Sequence, residues 1–369
     1  MKKIFIITGE SSGDIHGANL FLALQKVQPE LEIHAMGSDN LKACHPKTFI
    51  DVGHVHATGI VPVLKLLPQF LKLFKDVERQ VAEVKPDLII FIDNPGFNLR
   101  LAKKFSKLNI PMIYYICPQV WAWKQKRIHL MRRLFKKCLV IFKFEEEFYK
   151  KHNCPATFVG HPIKDMPEHQ VAIPDTKPIT NVKQILILPG SRTNELHIHQ
   201  ATLIETVNAL RNKHPELIFK VLKAPALKAA LYKDFVSNGI ELVEGRAADH
   251  IQQSHIGIAS SGTVTLECAV HHLPIVIVYK MRSFDSLIMR PLIKTKYIGL
   301  PNILANKEIV PELVQENFTT PNITSIVNDW LEDGTKYEAV KSDLKASVLL
   351  LGEVGACDRA ADEILTYLA

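Results

Sequence analysis

The chain has 369 residues, of which 47% are hydrophobic and 22% charged, and it carries a formal net charge of +7. This composition excludes an intrinsically disordered chain, and the length exceeds what one ordinary core organises, so two domains are expected. No run of about 18 apolar residues occurs to span a membrane, and the modest positive charge suits an anionic partner, with no nucleic-acid-binding motif beside it.

In chain order, MKKIFIITGE has a basic start but too short an apolar run for a signal peptide, and Lys3–Thr8 reads as a first strand. A cytoplasmic chain follows from that reading. Further strand candidates are Glu32–Met36, Asp87–Ile92, Met112–Ile116 and Cys138–Phe142, with segments of helical length between most of them. This alternation predicts a parallel sheet covered by helices. Residues 162–184 contain four prolines and no clear periodicity. They mark a linker that separates a first domain, 1–165, from a second, with the linker itself at 166–184. The second series of strand candidates is Ile185–Leu188, Leu217–Leu222, Ile240–Val243, Ile256–Ala259 and Ile275–Tyr279. Residues 185–335 then form the second domain, and 336–369 a helical tail expected to return to the first. The six cysteines, Cys44, Cys117, Cys138, Cys154, Cys268 and Cys357, form no C-x-x-C pair. Neither a zinc site nor a disulfide framework is indicated.

Four motifs follow strand candidates, where doubly wound sheets bind ligands. GESSGDIHG, Gly9 to Gly17, combines glycines that admit close backbone approach with a helix start that offers free N–H donors. Its spacing matches neither a dinucleotide fingerprint nor a Walker A loop, and a structural turn accounts for it equally well. In FIDNPGFNLR, Asp93 ends an apolar strand, where a carboxylate can act as general base or merely cap the next helix. In ILPGSRTNE, Arg192 can neutralise a phosphate leaving group or pair on the surface with Glu195. In IASSGTVTLECAV, Ser260, Ser261, Gly262 and Thr263 stand where a helix begins after a strand, an anion site for a diphosphate. Glu267, one turn further, can accept hydrogen bonds from ribose hydroxyls. No D-x-D pair is present, which points to transfer without a metal.

Two segments have surface chemistry. In VPVLKLLPQFLKLF, Val61 to Phe74, nine of fourteen residues are Val, Leu or Phe, a wide apolar face for core, partner or lipid. WKQKRIHLMRRLFKK, Trp123 to Lys137, is basic and suits headgroups, an acceptor phosphate or solvent.

Taken together, GESSGDIHGANL (9–20), FIDNPGFNLRLAKK (91–104), YYICPQVWAWKQKR (114–127), FVGHPIKD (158–165), LPGSRTNEL (188–196), SSGTVTLECAV (260–270) and GLPNILANKEIVPEL (299–313) resemble the lipid-A-disaccharide synthase family. That family belongs to the GT-B glycosyltransferases, α/β proteins of two Rossmann-like doubly wound domains facing a central cleft. The resemblance implies transfer of 2,3-diacylglucosamine from UDP to the 6-hydroxyl of 2,3-diacylglucosamine 1-phosphate, with inversion and with neither metal nor cofactor. It implies Asp93 and His161 as catalytic residues. Donor contacts would come from Gly190, Ser191, Arg192, Ser261, Gly262, Thr263, Glu267, Asn302 and Glu308, and Glu10, Ser12 and Gly13 would line the acceptor side. Val61, Val63, Leu64, Leu67, Phe70 and Leu71 would face the inner membrane from the cytoplasm. No nucleic-acid partner is implied, and a homodimer is left open. Rival readings on the same architecture are a UDP-N-acetylglucosamine epimerase, a peptidoglycan-precursor transferase and a non-catalytic sugar-nucleotide or lipid binder.

Overall fold

Short runs of Ile, Leu, Val and Phe form strands because a parallel sheet is buried on both faces and tolerates no alternation with polar residues. The computed structural model describes residues 1–9, 11–52, 67–170, 184–282 and 295–368, the side chains of Ser11, Ser12 and Leu67 excepted. The chain divides into two units, Met1–Asp165 with Leu351–Ala369, and Met166–Leu350.

The first unit runs β1 (Lys3–Thr8), α1 (Ser11–Val27), β2 (Glu32–Gly37), α2 (Asp39–Lys42), β3 (Phe49–Asp51), α3 (Leu67–Val84), β4 (Leu88–Ile92), α4 (Pro95–Phe105), β5 (Met112–Tyr115), α5 (Arg127–Leu134), β6 (Lys137–Val140), α6 (Lys143–Lys151) and β7 (Ala156–Phe158). Its parallel strands lie in the order β3-β2-β1-β4-β5-β6-β7. Chain direction along the sheet reverses between β1 and β4, the switch point at which such sheets hold ligands. Thr8 pairs with Ile92 across that point, so Gly9 and Asp93 leave the sheet side by side. Below them, Phe91 and Tyr114 pair across β4 and β5, and Phe135 packs edge-on to both at 5.7 and 5.0 Å. Burial of each such ring contributes about 2–3 kcal/mol and makes this end of the sheet rigid.

The second unit runs β8 (Gln184–Leu188), α7 (Thr193–Lys213), β9 (Ile218–Leu222), α8 (Lys233–Ser237), β10 (Glu241–Val243), α9 (Ala247–Gln253), β11 (Ile256–Ser260), α10 (Val264–Val270), β12 (Ile275–Tyr279), α11 (Leu300–Ala305), β13 (Glu312–Val314), α12 (Thr320–Glu332) and α13 (Gly334–Leu349). Its order is β10-β9-β8-β11-β12-β13, with the switch point between β8 and β11.

The strand candidates fall on strands, with ends displaced by one or two residues. Ile116 lies at φ +55 and leaves the β region, and the amides of Ile141 and Phe142 turn to the Glu145 carboxylate, so β5 and β6 stop early. The strands β3, β7 and β13, three residues each, are not among the candidates. Residues 336–349 belong to α13 in the second unit, where Tyr337 and Leu344 are buried in its core. Only the following helix, α14 (Ala356–Leu365), lies in the first unit, against α1. The Asp165 carboxylate accepts the amides of Gly355, Ala356 and Cys357 at 2.6, 3.2 and 2.8 Å, which caps α14 and holds it there.

Candidate functional site

Asp93 is partly exposed at the carboxyl end of β4, with its backbone at φ +50. Non-glycine residues rarely occupy that region, and the conformation is held by its neighbours. The Asp93 carbonyl accepts the Tyr114 hydroxyl at 2.5 Å and the Asn98 amide at 2.7 Å, while its N–H donates to the Tyr115 carbonyl at 3.3 Å. Tyr114 is buried, which pushes its phenol well above the usual range and keeps it a donor. Asn94 takes the capping duty for α4, accepting the Phe97 amide at 3.3 Å. Asp93 is therefore not needed as the cap.

Opposite, Gly13 approaches closely: a Cβ there would lie 3.6 Å from both the Asp93 Cβ and the Ile92 carbonyl. At Gly9 a Cβ would meet the Asn94 amide at 2.4 Å, so only glycine fits without displacing it. Asp14 is buried and accepts the amides of Ser38 and Asn40 at 2.6 and 2.9 Å, which locks the loop after β2 beside the GESSGD turn. Glu10 lies outside the described residues, as does the side chain of Ser12.

His161 does not join Asp93. It follows β7, three strands from β4, a spacing of about 14 Å at about 4.8 Å per strand. Its side chain is 6% exposed, its Nδ1 accepts the Ile163 amide at 3.1 Å, and its own N–H donates to the Leu351 carbonyl at 2.8 Å. Through these contacts His161 ties the end of β7 to the C-terminal segment.

In the second unit the loop after β8 is organised by Glu195 and His199, which the sequence reading left without a role in the site. Gly190 sits at φ +122, and a Cβ on it would strike the Glu195 side chain at 2.7 Å. The Glu195 carboxylate accepts the amides of Ser191 and Arg192 at 3.1 and 3.3 Å and pairs with the Arg192 guanidinium at 2.9 Å. Arg192 remains 58% exposed, so its fork is screened by solvent and can exchange partners. His199 is fully buried and bridges two strand ends. Its Nδ1 lies 2.8 Å from the Pro189 carbonyl after β8, and the Lys280 N–H after β12 donates to its Nε2 at 3.1 Å. Nε2 also lies 3.2 Å from the Lys280 carbonyl, and burial lowers the ring's pKa, which favours its neutral form.

The loop after β11 places Gly262 and Thr263 on the surface at the start of α10. The first bond of the turn runs from the Thr265 amide to the Gly262 carbonyl, so the preceding amides are those that a helix start leaves without helical partners. Ser261 is used internally: its N–H donates to the Val278 carbonyl at 3.1 Å and its hydroxyl to the Ile298 carbonyl at 2.9 Å. Glu267 is partly buried, and burial, with the charge of Glu168 nearby, pushes its carboxyl up to about 7.

Asn302 differs most from expectation. It is fully buried, and its amide is consumed by protein: Nδ2 donates to the Val310 carbonyl and to Glu312, and Oδ1 accepts the amides of Ile309 and Val310, all at 2.8–3.0 Å. Glu312 in turn accepts the amides of Ile298 and Gly299 at 2.8 and 2.9 Å. The direct donor contact expected of Asn302 is replaced by a brace that sets the loop bearing the exposed Glu308. Tyr114, His199 and Glu312 owe their roles to tertiary partners. Only Glu195, three residues after Arg192, carried a local signal.

Of the apolar segment, Val61, Val63 and Leu64 lie outside the described residues, as does the side chain of Leu67. Phe70 packs partly against the first core, while Leu71 is 56% exposed. Among the described residues no helix is long and apolar enough to cross a membrane.

Two parallel sheets with glycine-bearing loops at their switch points define a protein of two Rossmann-like domains, the GT-B class. A UDP-GlcNAc 2-epimerase from Neisseria meningitidis, solved bound to UDP-GlcNAc, has a similar fold at a TM-score of 0.66, with 15% identity, 100% of this chain and 99% of that one covered. The family model for lipid-A-disaccharide synthetase matches residues 4–365. The lipid-A-disaccharide synthase of Myxococcus xanthus is 34% identical over 99% of this chain and 97% of its own length. Lipid-A-disaccharide synthase 1 of Legionella pneumophila subsp. pneumophila is 35% identical, with 93% and 91% covered. The chain belongs to the lipid-A-disaccharide synthase family and is a glycosyltransferase of lipid A biosynthesis.

Proposed function

We propose that the enzyme moves 2,3-diacylglucosamine from UDP-2,3-diacylglucosamine to the 6-hydroxyl of 2,3-diacylglucosamine 1-phosphate, with inversion. Asp93 carries this reading, as a carboxylate at the switch point whose backbone is pinned by Tyr114 and Asn98. It takes the proton of the acceptor 6-hydroxyl as that oxygen bonds to the donor's anomeric carbon. The anomeric C–O bond to UDP breaks, and UDP leaves with the bonding pair. One attack on the face opposite the leaving group inverts the centre and yields the β-1′,6 disaccharide phosphate.

On the second unit, the amides at the start of α10 and the Arg192 guanidinium meet the growing charge on the diphosphate. Arg192 does so by exchanging Glu195 for phosphate. Glu267 accepts the ribose hydroxyls, and Asn302 acts through the loop it braces, which presents Glu308. Glu10, Ser12 and Gly13 line the acceptor side of the first unit. The segment from Val61 to Leu71 contacts the cytoplasmic leaflet of the inner membrane, from which both lipid substrates are drawn. In this reading the first unit takes the acceptor and the second, Met166–Leu350, the donor.

The test is a mixed-micelle assay with both substrates and EDTA, read by mass spectrometry. A disaccharide phosphate plus UDP is expected. The epimerase-like fold gives the second reading. Consumption or epimerisation of UDP-N-acetylglucosamine, with no disaccharide, would establish it instead.

A further inference from the structure

The basic segment after β5 has no role so far, although it is built rather than loose. Its loop leaves β5 one residue after Tyr115, whose carbonyl accepts the Asp93 amide, so it starts beside the base. It is then tied to the end of β6, because the Trp121 indole N–H donates to the buried Glu145 carboxylate at 2.8 Å. Glu145 also accepts the amides of Ile141 and Phe142, both at 3.2 Å. Gln125 closes the turn with a bond to the Trp121 carbonyl at 3.1 Å.

This clamp presents Trp123 with two cations on one ring: Lys124 Nζ lies 4.5 Å from its centroid and the Arg127 guanidinium carbon 5.3 Å. Neither side chain has a carboxylate partner among the described residues. Lys124 also holds φ +50, a backbone region that a lysine rarely adopts. Two cations are thus gathered at a cost in repulsion and backbone strain, on the same strand-end edge as Asp93. Arg127 lowers the Lys124 pKa, second to burial, which is that repulsion seen from the ammonium. A dianion placed between them relieves it.

We propose that Trp123, Lys124 and Arg127 form the seat of a phosphate monoester, the anomeric phosphate of the acceptor sugar. The inference rests on the transfer reading above. The attacking 6-hydroxyl, carried on C5, and the anomeric phosphate, carried on C1, flank the ring oxygen of one pyranose on the same side of the sugar, and the base and the cation pair stand at neighbouring strand ends. The Arg127 fork suits two phosphate oxygens, and Lys124 serves as a point charge. A lipid headgroup phosphate has the same chemistry, so the test separates the two sources.

Steady-state kinetics in neutral detergent micelles compare the 1-phosphate acceptor with its 1-hydroxyl analogue, for wild type, Lys124→Ala/Arg127→Ala and Arg127→Lys. The double variant should raise KM for the phosphorylated acceptor by about tenfold or more. The loss should fall on KM rather than kcat, with KM for the hydroxyl analogue moving less than twofold and Arg127→Lys recovering part of the loss. An equal loss on both acceptors, or none on either, overturns the proposal. Loss of binding to phosphatidylglycerol vesicles with unchanged acceptor KM assigns the cations to headgroups and overturns it as well. Should the wild type transfer nothing, the transfer reading falls, and titration of tryptophan fluorescence with glucosamine 1-phosphate still decides the seat. Weaker binding by the double variant supports it, and equal binding by both proteins overturns it.

Discussion

Asn302 donates its amide to Glu312 at 2.8 Å, and through that bond the start of α11 is joined to the start of β13. Ser261, bonded to the Ile298 carbonyl, extends the same network to the end of β11. Asn302→Ala removes one donor and one acceptor group and leaves the buried amides of Ile309 and Val310 and the Val310 carbonyl unmatched. The expected cost is about 3 kcal/mol in denaturant unfolding, since each buried unpaired group costs about 1–3 kcal/mol. The donor KM should rise with it, because Glu308 rides on the same loop. A variant as stable as wild type would mean that Asn302 does not brace the loop.

Asp93→Asn isolates the carboxylate from the fold. Asparagine accepts positive φ at least as readily as aspartate, so the backbone at φ +50 and its bonds to Tyr114 and Asn98 persist. Transfer should fall by about 100-fold or more, the scale of a lost general base. UDP affinity, measured calorimetrically, should stay within about twofold. Turnover near the wild-type rate would take Asp93 out of the mechanism.

The Glu267 carboxyl, pushed up to about 7 by burial, links donor binding to pH. Ribose hydroxyls donate to the ionised form, so binding should strengthen as pH rises through 7 and level off above it. Between pH 6 and 8 the ionised fraction grows by up to about tenfold, which bounds the gain. Glu267→Gln should show none of this gain beyond what UDP itself contributes. The stability effect has the opposite sign. A carboxyl whose folded pKa is raised stabilises below its unfolded value near 4.5 and loses that contribution as pH climbs to about 7. Glu145, fully buried and also raised to about 7, should cost about 3 kcal/mol over the same window.

His199 acts on stability in the reverse direction. Burial depresses its pKa, so its contribution is present above the unfolded value near 6.5 and is lost as acid protonates the ring. The protonated ring can no longer accept the Lys280 amide. His199→Ala should cost about 1–3 kcal/mol at pH 7.5 by leaving the Pro189 carbonyl, on a buried residue, without its partner. The gap to wild type should narrow at pH 5 in thermal melts. A gap independent of pH would mean that the ring works by packing alone.

Local sequence is enough to locate the longer strands and the loops that follow them. A doubly buried parallel strand needs an unbroken apolar run, and Gly190 of PGSR, at φ +122, answers a local demand of its turn. Asp93 was legible for the same reason, as a carboxylate directly after such a run. The tertiary structure alone decided which strand ends meet. It set Gly9 beside Asp93, sent His161 to a far edge, buried Asn302 as a brace and gave α13 to the second unit. These outcomes depend on partners distant in the chain: Tyr114 for the Asp93 carbonyl, Lys280 for His199, Glu312 for Asn302. Local pattern specifies a backbone's own hydrogen bonds and exposed face. Which distant group a buried polar atom finds is set only when the sheet order closes around it.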